Sequence, residues 1–281
     1  IKPSHYDDDG YVIQWWRSSI PSNSLACVYA LARDAAERRL FGADVEIDIE
    51  ALDETNVRVK LDAVIDRIRQ HDGFGMVGLV GVQSNQFPRA MDLARRIREA
   101  DIPVVIGGFH VSGLLAMLPE MPSDLREALD LGCTLFAGEA EGRFDDILQG
   151  AATRTLKPIY NYMNDLPGLE SAPPPFLPRD TIARVYEHYA SFDAGRGCPF
   201  QCSFCTIINV QGRKSRRRTP DDVEEIVRRH WEQGVRRFFI TDDNFARNKD
   251  WEPIFDRLIQ IRERDKINLR LIIQVDTACH K

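Results

Sequence analysis

The stretch "GRGCPFQCSFCTI", residues 195–207, places Cys198, Cys202 and Cys205 within eight positions. Spacings of three and two residues let a short loop wrap three thiolates around one metal group. Thiolates are soft ligands that suit iron–sulfur clusters and zinc. A structural zinc takes four protein ligands, and the obvious candidates for a fourth, Cys279 and His280, lie far downstream. A four-iron cluster needs no fourth protein ligand if one iron is to bind something else.

The flanking pattern sharpens the choice. Just before the loop, "YASFDAG" (189–195) has the apolar character of a strand, so the cysteines follow a strand end. Thr219-Pro220-Asp221-Asp222 then combines a capping hydroxyl, a first-turn proline and acids facing the helix dipole. The predicted helix runs to Gly234 and leads into a strand at 236–243, a helix at 250–265 and a strand at 269–275. The βαβαβ order predicts the start of a parallel barrel, in which site residues gather where strands end.

"RGCPFQCSFC" resembles the signature of the radical S-adenosylmethionine (SAM) superfamily, C-x3-C-x-aromatic-C, with Phe204 as the aromatic residue. The "RGCP" form is similar to that of its cobalamin-associated branch. The resemblance implies a [4Fe–4S] cluster held by Cys198, Cys202 and Cys205, with the open iron chelating SAM. Reduction then cleaves SAM and yields a 5′-deoxyadenosyl radical that abstracts hydrogen from an unactivated carbon. In "TDDNF" (241–245), Asp242 or Asp243 lies where the superfamily places a contact to the SAM amino group; loop capping or pairing with nearby arginines is the plainer role for the same acids.

The first 150 residues alternate helix patterns with short apolar runs. Helices are predicted from Ser22 or Ser24 to Leu40, at 57–71 and at 88–100. Strands are predicted at the chain start (Ile1-Lys2-Pro3), at "DVEIDI" (44–49), at 76–82, at 103–108 and at 134–139. The order implies an α/β fold, a Rossmann-like, doubly wound parallel sheet, which binds ligands beyond the carboxyl ends of its strands. Those ends carry Gln83, Ser84 and Asn85; Gly107, Gly108, Phe109 and His110; and Gly138, Glu139 and Glu141. "GFGMVG" (73–78) matches a dinucleotide fingerprint only in letters, because it precedes its strand and no helix follows.

"VVIGGFHVS" (104–112) and "FAGEAEGRFDDIL" (136–148) resemble the cobalamin-binding domain of the radical SAM class that includes anaerobic magnesium-protoporphyrin ester cyclases and hopanoid methylases. By that resemblance the strand-end residues above face cobalamin. The "PSHYDDDG" stretch departs from D-x-H-x-x-G at both flanking positions, so His5 is not assigned to cobalt.

The expected organisation is a cobalamin-binding-like domain (1–150), a proline-rich connector (151–184) and the first βα units of a truncated radical SAM (β/α) barrel (185–281). A start at Ile1 and an end at Lys281, just past a strand, suggest a fragment of a longer protein. Net charge is −6 and no run approaches a membrane span. Six cysteines without a secretory pattern indicate a reducing, cytoplasmic setting. The basic "GRKSRRR" (212–218) reads as a solvated loop near an anionic cofactor or reductase, with nucleic acid the lesser alternative. The resemblance implies a small-molecule or lipid-like substrate and a flavodoxin- or ferredoxin-type reductant. Two rivals stand beside it: a radical SAM enzyme with a scaffold domain in place of a cobalamin domain, and a zinc-binding module contacting nucleic acid.

Overall fold

The computed structural model describes residues 1–70, 74–200, 202–203 and 205–276. The chain divides into two compact units: residues 1–16 with 52–166, and residues 17–51 with 167–281. The division differs from a linear boundary at 150, because the first helix, α1 (Asn23–Glu37), packs on a strand of the second unit. It presents a continuous small and apolar face (Leu25, Ala26, Ala30, Leu31, Ala35) and is capped by Ser22, whose hydroxyl accepts from Leu25 N at 3.2 Å.

In the first unit, α2 (Leu61–Arg69) precedes a four-stranded parallel sheet. Its strands are β1 (Val77–Leu79), β2 (Val104–Gly107), β3 (Thr134–Ala137) and β4 (Ile159–Asn161), paired in that order. α3 (Phe87–Glu99) joins β1 to β2, α4 (Phe109–Met117) and α5 (Ser123–Asp130) join β2 to β3, and α6 (Phe144–Ala152) leads to β4. Residues alternate between faces. Val104 and Ile106 pack with α2, α3, α4 and α5, whereas Val105 and Phe136 pack with Ile147 of α6 and with Tyr160. Burial on both faces explains the nearly continuous apolar runs in these strands.

The chain start flanks β1: Ile1 N donates to Gly78 O (2.7 Å) and Val80 N to Ile1 O (2.9 Å). Lys2 forms an isolated parallel bridge with Asp53 on its other side. The order across the sheet is therefore 52–54, 1–3, β1, β2, β3, β4; Ile1 bonds to residues on either side of Leu79, the parallel pattern, so the order of winding, not the strand direction, switches between 1–3 and β1.

Two expectations need correction. Residues 44–49 form no strand; their alternation lacks a partner edge, and Val45 stays 46% exposed. The pairing beside Lys2 is made by residues 52–54 instead. Conversely, β4 lies inside the stretch expected to be a proline-rich connector. Proline is tolerated at the start of an edge strand, and Pro158 still offers its carbonyl to Leu135 N at 2.9 Å.

The second unit contains α7 (Arg179–Ile182), β5 (Tyr189–Phe192), β6 (Gly195–Arg196), α8 (Ile207–Val210), β7 (Arg216–Arg217), α9 (Pro220–Glu232), β8 (Arg237–Ile240), α10 (Trp251–Asp265) and β9 (Arg270–Ile272). β5, β8 and β9 form a parallel sheet in that order, connected through α9 and α10. The expected cap of α9 is formed in full: Asp222 N donates to Thr219 Oγ1 (3.1 Å) and Thr219 N to Asp222 Oδ2 (2.7 Å). Val223, Ile226, Val227 and His230 make its buried face. His230, unremarkable in sequence, is a core residue packed on Phe238, and burial pushes its pKa down to about 4. Among the described residues, no helix is long and apolar enough to cross a membrane.

Candidate active site

The cysteine loop leaves and returns through a two-strand neck. β6 and β7 pair antiparallel, Gly195 opposite Arg217 and Arg196 opposite Arg216. Inside the neck, Cys198 N donates to Gly212 O at 3.2 Å and Gly197 N to Gln211 Oε1 at 3.2 Å. Gly197 has φ +83°, and a Cβ there would lie 2.4 Å from Lys214 O, so only glycine lets the two strands approach this closely.

The three thiols are free: Cys198 and Cys205 are half-buried and Cys202 is exposed. Cys205 N donates to Cys202 O at 3.1 Å, which turns the chain between those two cysteines. Among the described residues, no three His, Cys, Asp or Glu side chains stand in metal-ligating geometry. The fit to a cluster therefore rests on the donor set, three accessible soft thiols on one short loop. Phe204 lies outside the described residues, as do Cys279 and His280.

A pocket opens beside the neck. One wall is the Gly195–Cys198 backbone with Ser215; the other is Asp242, Asp243 and Asn244 with Arg247 and Asn248. The cysteine loop and "TDDNF", 37 residues apart at their nearest cited members (Cys205 and Asp242), thus share one cavity at the ends of β5 and β8.

The two aspartates differ in role. Asp242 is 6% exposed, and its Oδ1 accepts from Ala194 N (2.7 Å) and Gly195 N (3.0 Å). Burial pushes its pKa up to about 7, with the Asp193 charge adding to the rise and the two amides opposing it. Asn248 is also buried and donates to Ala194 O at 3.3 Å. Both therefore hold the strand end that starts the neck. Asp243 is exposed at the pocket rim, and its carboxyl too is raised by partial desolvation.

Several site residues carry no local sequence signal. Arg247 lies over the Phe200 ring (4.8 Å) and pairs with Asp276 at 2.7 Å. Arg218 is 1% exposed, Arg216 donates to Pro167 O at 2.7 Å and Arg217 pairs with Asp250 at 2.8 Å. The basic stretch is thus largely consumed by internal contacts, which corrects its reading as a solvated loop. In sequence, such a cluster looks the same whether or not it is buried.

In the first unit, the strand-end residues meet around the loop after β1. Val82 N donates to Gly107 O (3.1 Å) and His110 N to Val82 O (3.0 Å). Gly108 has φ +144°, and a Cβ there would lie 2.2 Å from Val82 N. Gln83, Ser84 and Asn85 are exposed, Phe109 is 36% exposed, and Gly107, Gly138 and Glu139 are half-buried. His110 is buried, with Nδ1 3.1 Å from Ser84 Oγ, Nε2 2.9 Å from Asp124 Oδ2 and its ring against Phe87. Burial lowers its pKa while Asp124 opposes. Glu141 is 4% exposed. His110 and Glu141 are therefore interior residues under a ledge formed by the others.

The fold and site define an α/β protein with parallel sheets and, at the strand ends of its second unit, a pocket lined by Cys198 of the three-cysteine loop. Residues 193–277 match the Radical SAM superfamily, and the chain is similar to methylases of that kind. It is 27% identical over 206 residues to bacteriochlorophyllide d C-8(2)-methyltransferase of Chlorobaculum tepidum, covering 67% of this chain and 43% of that protein. It is 26% identical over 205 residues to hopanoid C-2 methylase of Rhodopseudomonas palustris, covering 71% and 37%. The chain thus spans less than half the length of these relatives. Its fold is similar to that of TsrM from Kitasatospora setae, a radical SAM methyltransferase solved with cobalamin and a [4Fe–4S] cluster (TM-score 0.64, 16% identity, 90% of this chain and 51% of that one).

Proposed function

We propose that this chain is the cofactor-binding part of a cobalamin-dependent radical SAM enzyme that modifies an unactivated carbon, with methylation favoured over cyclisation or rearrangement by the relatives it resembles. The observation that carries the proposal is the pocket shared by Cys198, Asp242 and Asp243 within the radical SAM segment. Cys198, Cys202 and Cys205 would hold the cluster, leaving one iron for SAM. Such a cluster, when bound, supplies the low-potential electron for SAM cleavage.

The chain's own residues bind and orient. Asp243, at the rim, accepts from the SAM ammonium, and Asp242 fixes the strand end from which the loop departs. Phe204, two residues past Cys202, is assigned to the SAM side by the motif alone. In the first unit, Gln83, Ser84, Asn85, Gly107, Gly108, Phe109, Gly138 and Glu139 form the cobalamin-facing ledge, and buried His110 and Glu141 support it. The ledge's small and polar surface suits a large, flat ligand lying against backbone. A small-molecule or lipid-like substrate, a flavodoxin- or ferredoxin-type reductant and a reducing, cytoplasmic compartment complete the proposal.

Anaerobic reconstitution of the full-length protein tests it. About four irons per chain and a brown chromophore are expected, both lost in Cys202→Ala. One zinc and no iron would contradict it. Cobalamin retained on purification separates a cofactor-binding first unit from a scaffold.

A further inference from the structure

The two strands of the neck are strapped from below by one buried carboxylate. Asp193, 2% exposed, follows β5 directly. Its Oδ2 lies 3.2 Å from Arg196 Nε on the outgoing strand and 3.5 Å from Arg218 Nε just past the returning strand. Arg196 Nη2 also donates to Asp193 Oδ1 at 3.3 Å. Arg218 Nε donates to Asp193 O (3.0 Å), and Arg218 N to Ala194 O (2.8 Å).

The carboxylate is itself held from a distant part of the chain. Asn23 Nδ2, at the start of α1, donates to Asp193 Oδ1 at 2.9 Å. The Cys27 thiol, one turn on, lies 3.6 Å from the same oxygen. Burial alone would raise the Asp193 pKa, yet the Arg196 and Arg218 guanidiniums outweigh it and hold the carboxyl down at about 2. The group is therefore charged, and removing its charge would leave two guanidiniums buried at short range without compensation.

We infer that Asp193 is a positioning residue: by clasping Arg196 and Arg218 together it closes the neck of the cysteine loop and sets the spacing of the thiols before any metal arrives. The inference rests on the proposed role of Cys198, Cys202 and Cys205 only for its purpose; the clasp is a property of the metal-free chain. Because Asn23 supplies one of its bonds, the N-terminal helix α1 takes part in ordering a loop some 170 residues later.

Hydrogen exchange of the full-length, cluster-free protein tests the clasp, read over residues 193–198 and 212–218. In Asp193→Asn and Arg196→Gln, exchange in the neck is expected to accelerate at least about tenfold relative to β5 and β8. Arg196→Lys, which keeps the charge, should stay within about twofold of the unaltered protein on the same measure. Ile226→Val, in the buried face of α9, lowers overall stability without touching the neck and should change neck and sheet alike. If neck and sheet accelerate equally in the clasp variants, as in Ile226→Val, Asp193 is only a stability residue and the inference is overturned. Should Asp193→Asn fail to fold, Arg196→Gln and Asn23→Ala carry the same comparison. A protein that takes up no iron would contradict the proposed function, and the neck exchange would still decide the clasp.

Discussion

Adjacent carboxylates in "TDDNF" do different work because one points into the fold and the other to the pocket rim. If Asp243 accepts from the SAM ammonium as proposed, Asp243→Asn removes one charge-assisted contact, so the KM for SAM should rise about tenfold with iron content unchanged. Equal KM values would remove Asp243 from the site. Asp242 acts on stability. Its folded pKa is raised from 3.8 to about 7, so the folded state keeps a proton that the unfolded state releases. Its contribution is fully present below pH 3.8 and falls away as pH rises toward about 7, by up to about 4 kcal/mol. His230 works in the opposite sense: its pKa is lowered from 6.5 to about 4, so stability is lost as pH falls through that window. Melting curves of Asp242→Asn against the unaltered protein isolate the first effect. Their difference should shift in favour of the variant between pH 4 and 7; a flat difference contradicts the raised pKa. In sequence, the pair marked the site but not the division of labour, since burial of one of two neighbours depends on contacts made elsewhere.

At the scale of elements, local chemistry was legible where it is self-contained. Thr219, Pro220 and Asp222 announce the start of α9, and the cap forms as expected. Residues 44–49 and β4 show the converse. An alternating pattern becomes a strand only beside a partner edge, and a proline-rich stretch can still supply one at the sheet margin. The glycines of the first unit could be placed at strand ends, but the close approach that requires Gly108 is visible only in three dimensions. Gly108→Ala would force a Cβ to 2.2 Å from Val82 N. It should destabilise the first unit by about 2 kcal/mol or more, read as a lower melting temperature, because backbone rather than a flexible side chain must move. An unchanged melting temperature would show that the loop after β1 yields freely.

For the whole molecule, the cysteine spacing and the order of βα units carried the functional reading, because both are encoded over short stretches. The joining of distant parts was not legible: nothing in "NSLACVYA" (23–30) signals that Asn23 reaches Asp193, nor does "RRR" reveal that one arginine is buried while its neighbours pair internally. The account's central claim is that the three-cysteine loop holds a cluster with one iron left open beside Asp243. Electron paramagnetic resonance of the reduced, reconstituted full-length protein, recorded before and after adding SAM, tests it most directly. The account predicts a [4Fe–4S] signal that changes on SAM addition in the unaltered protein and is absent in Cys202→Ala. A signal that SAM leaves unchanged, or one that survives the loss of Cys202, would contradict it.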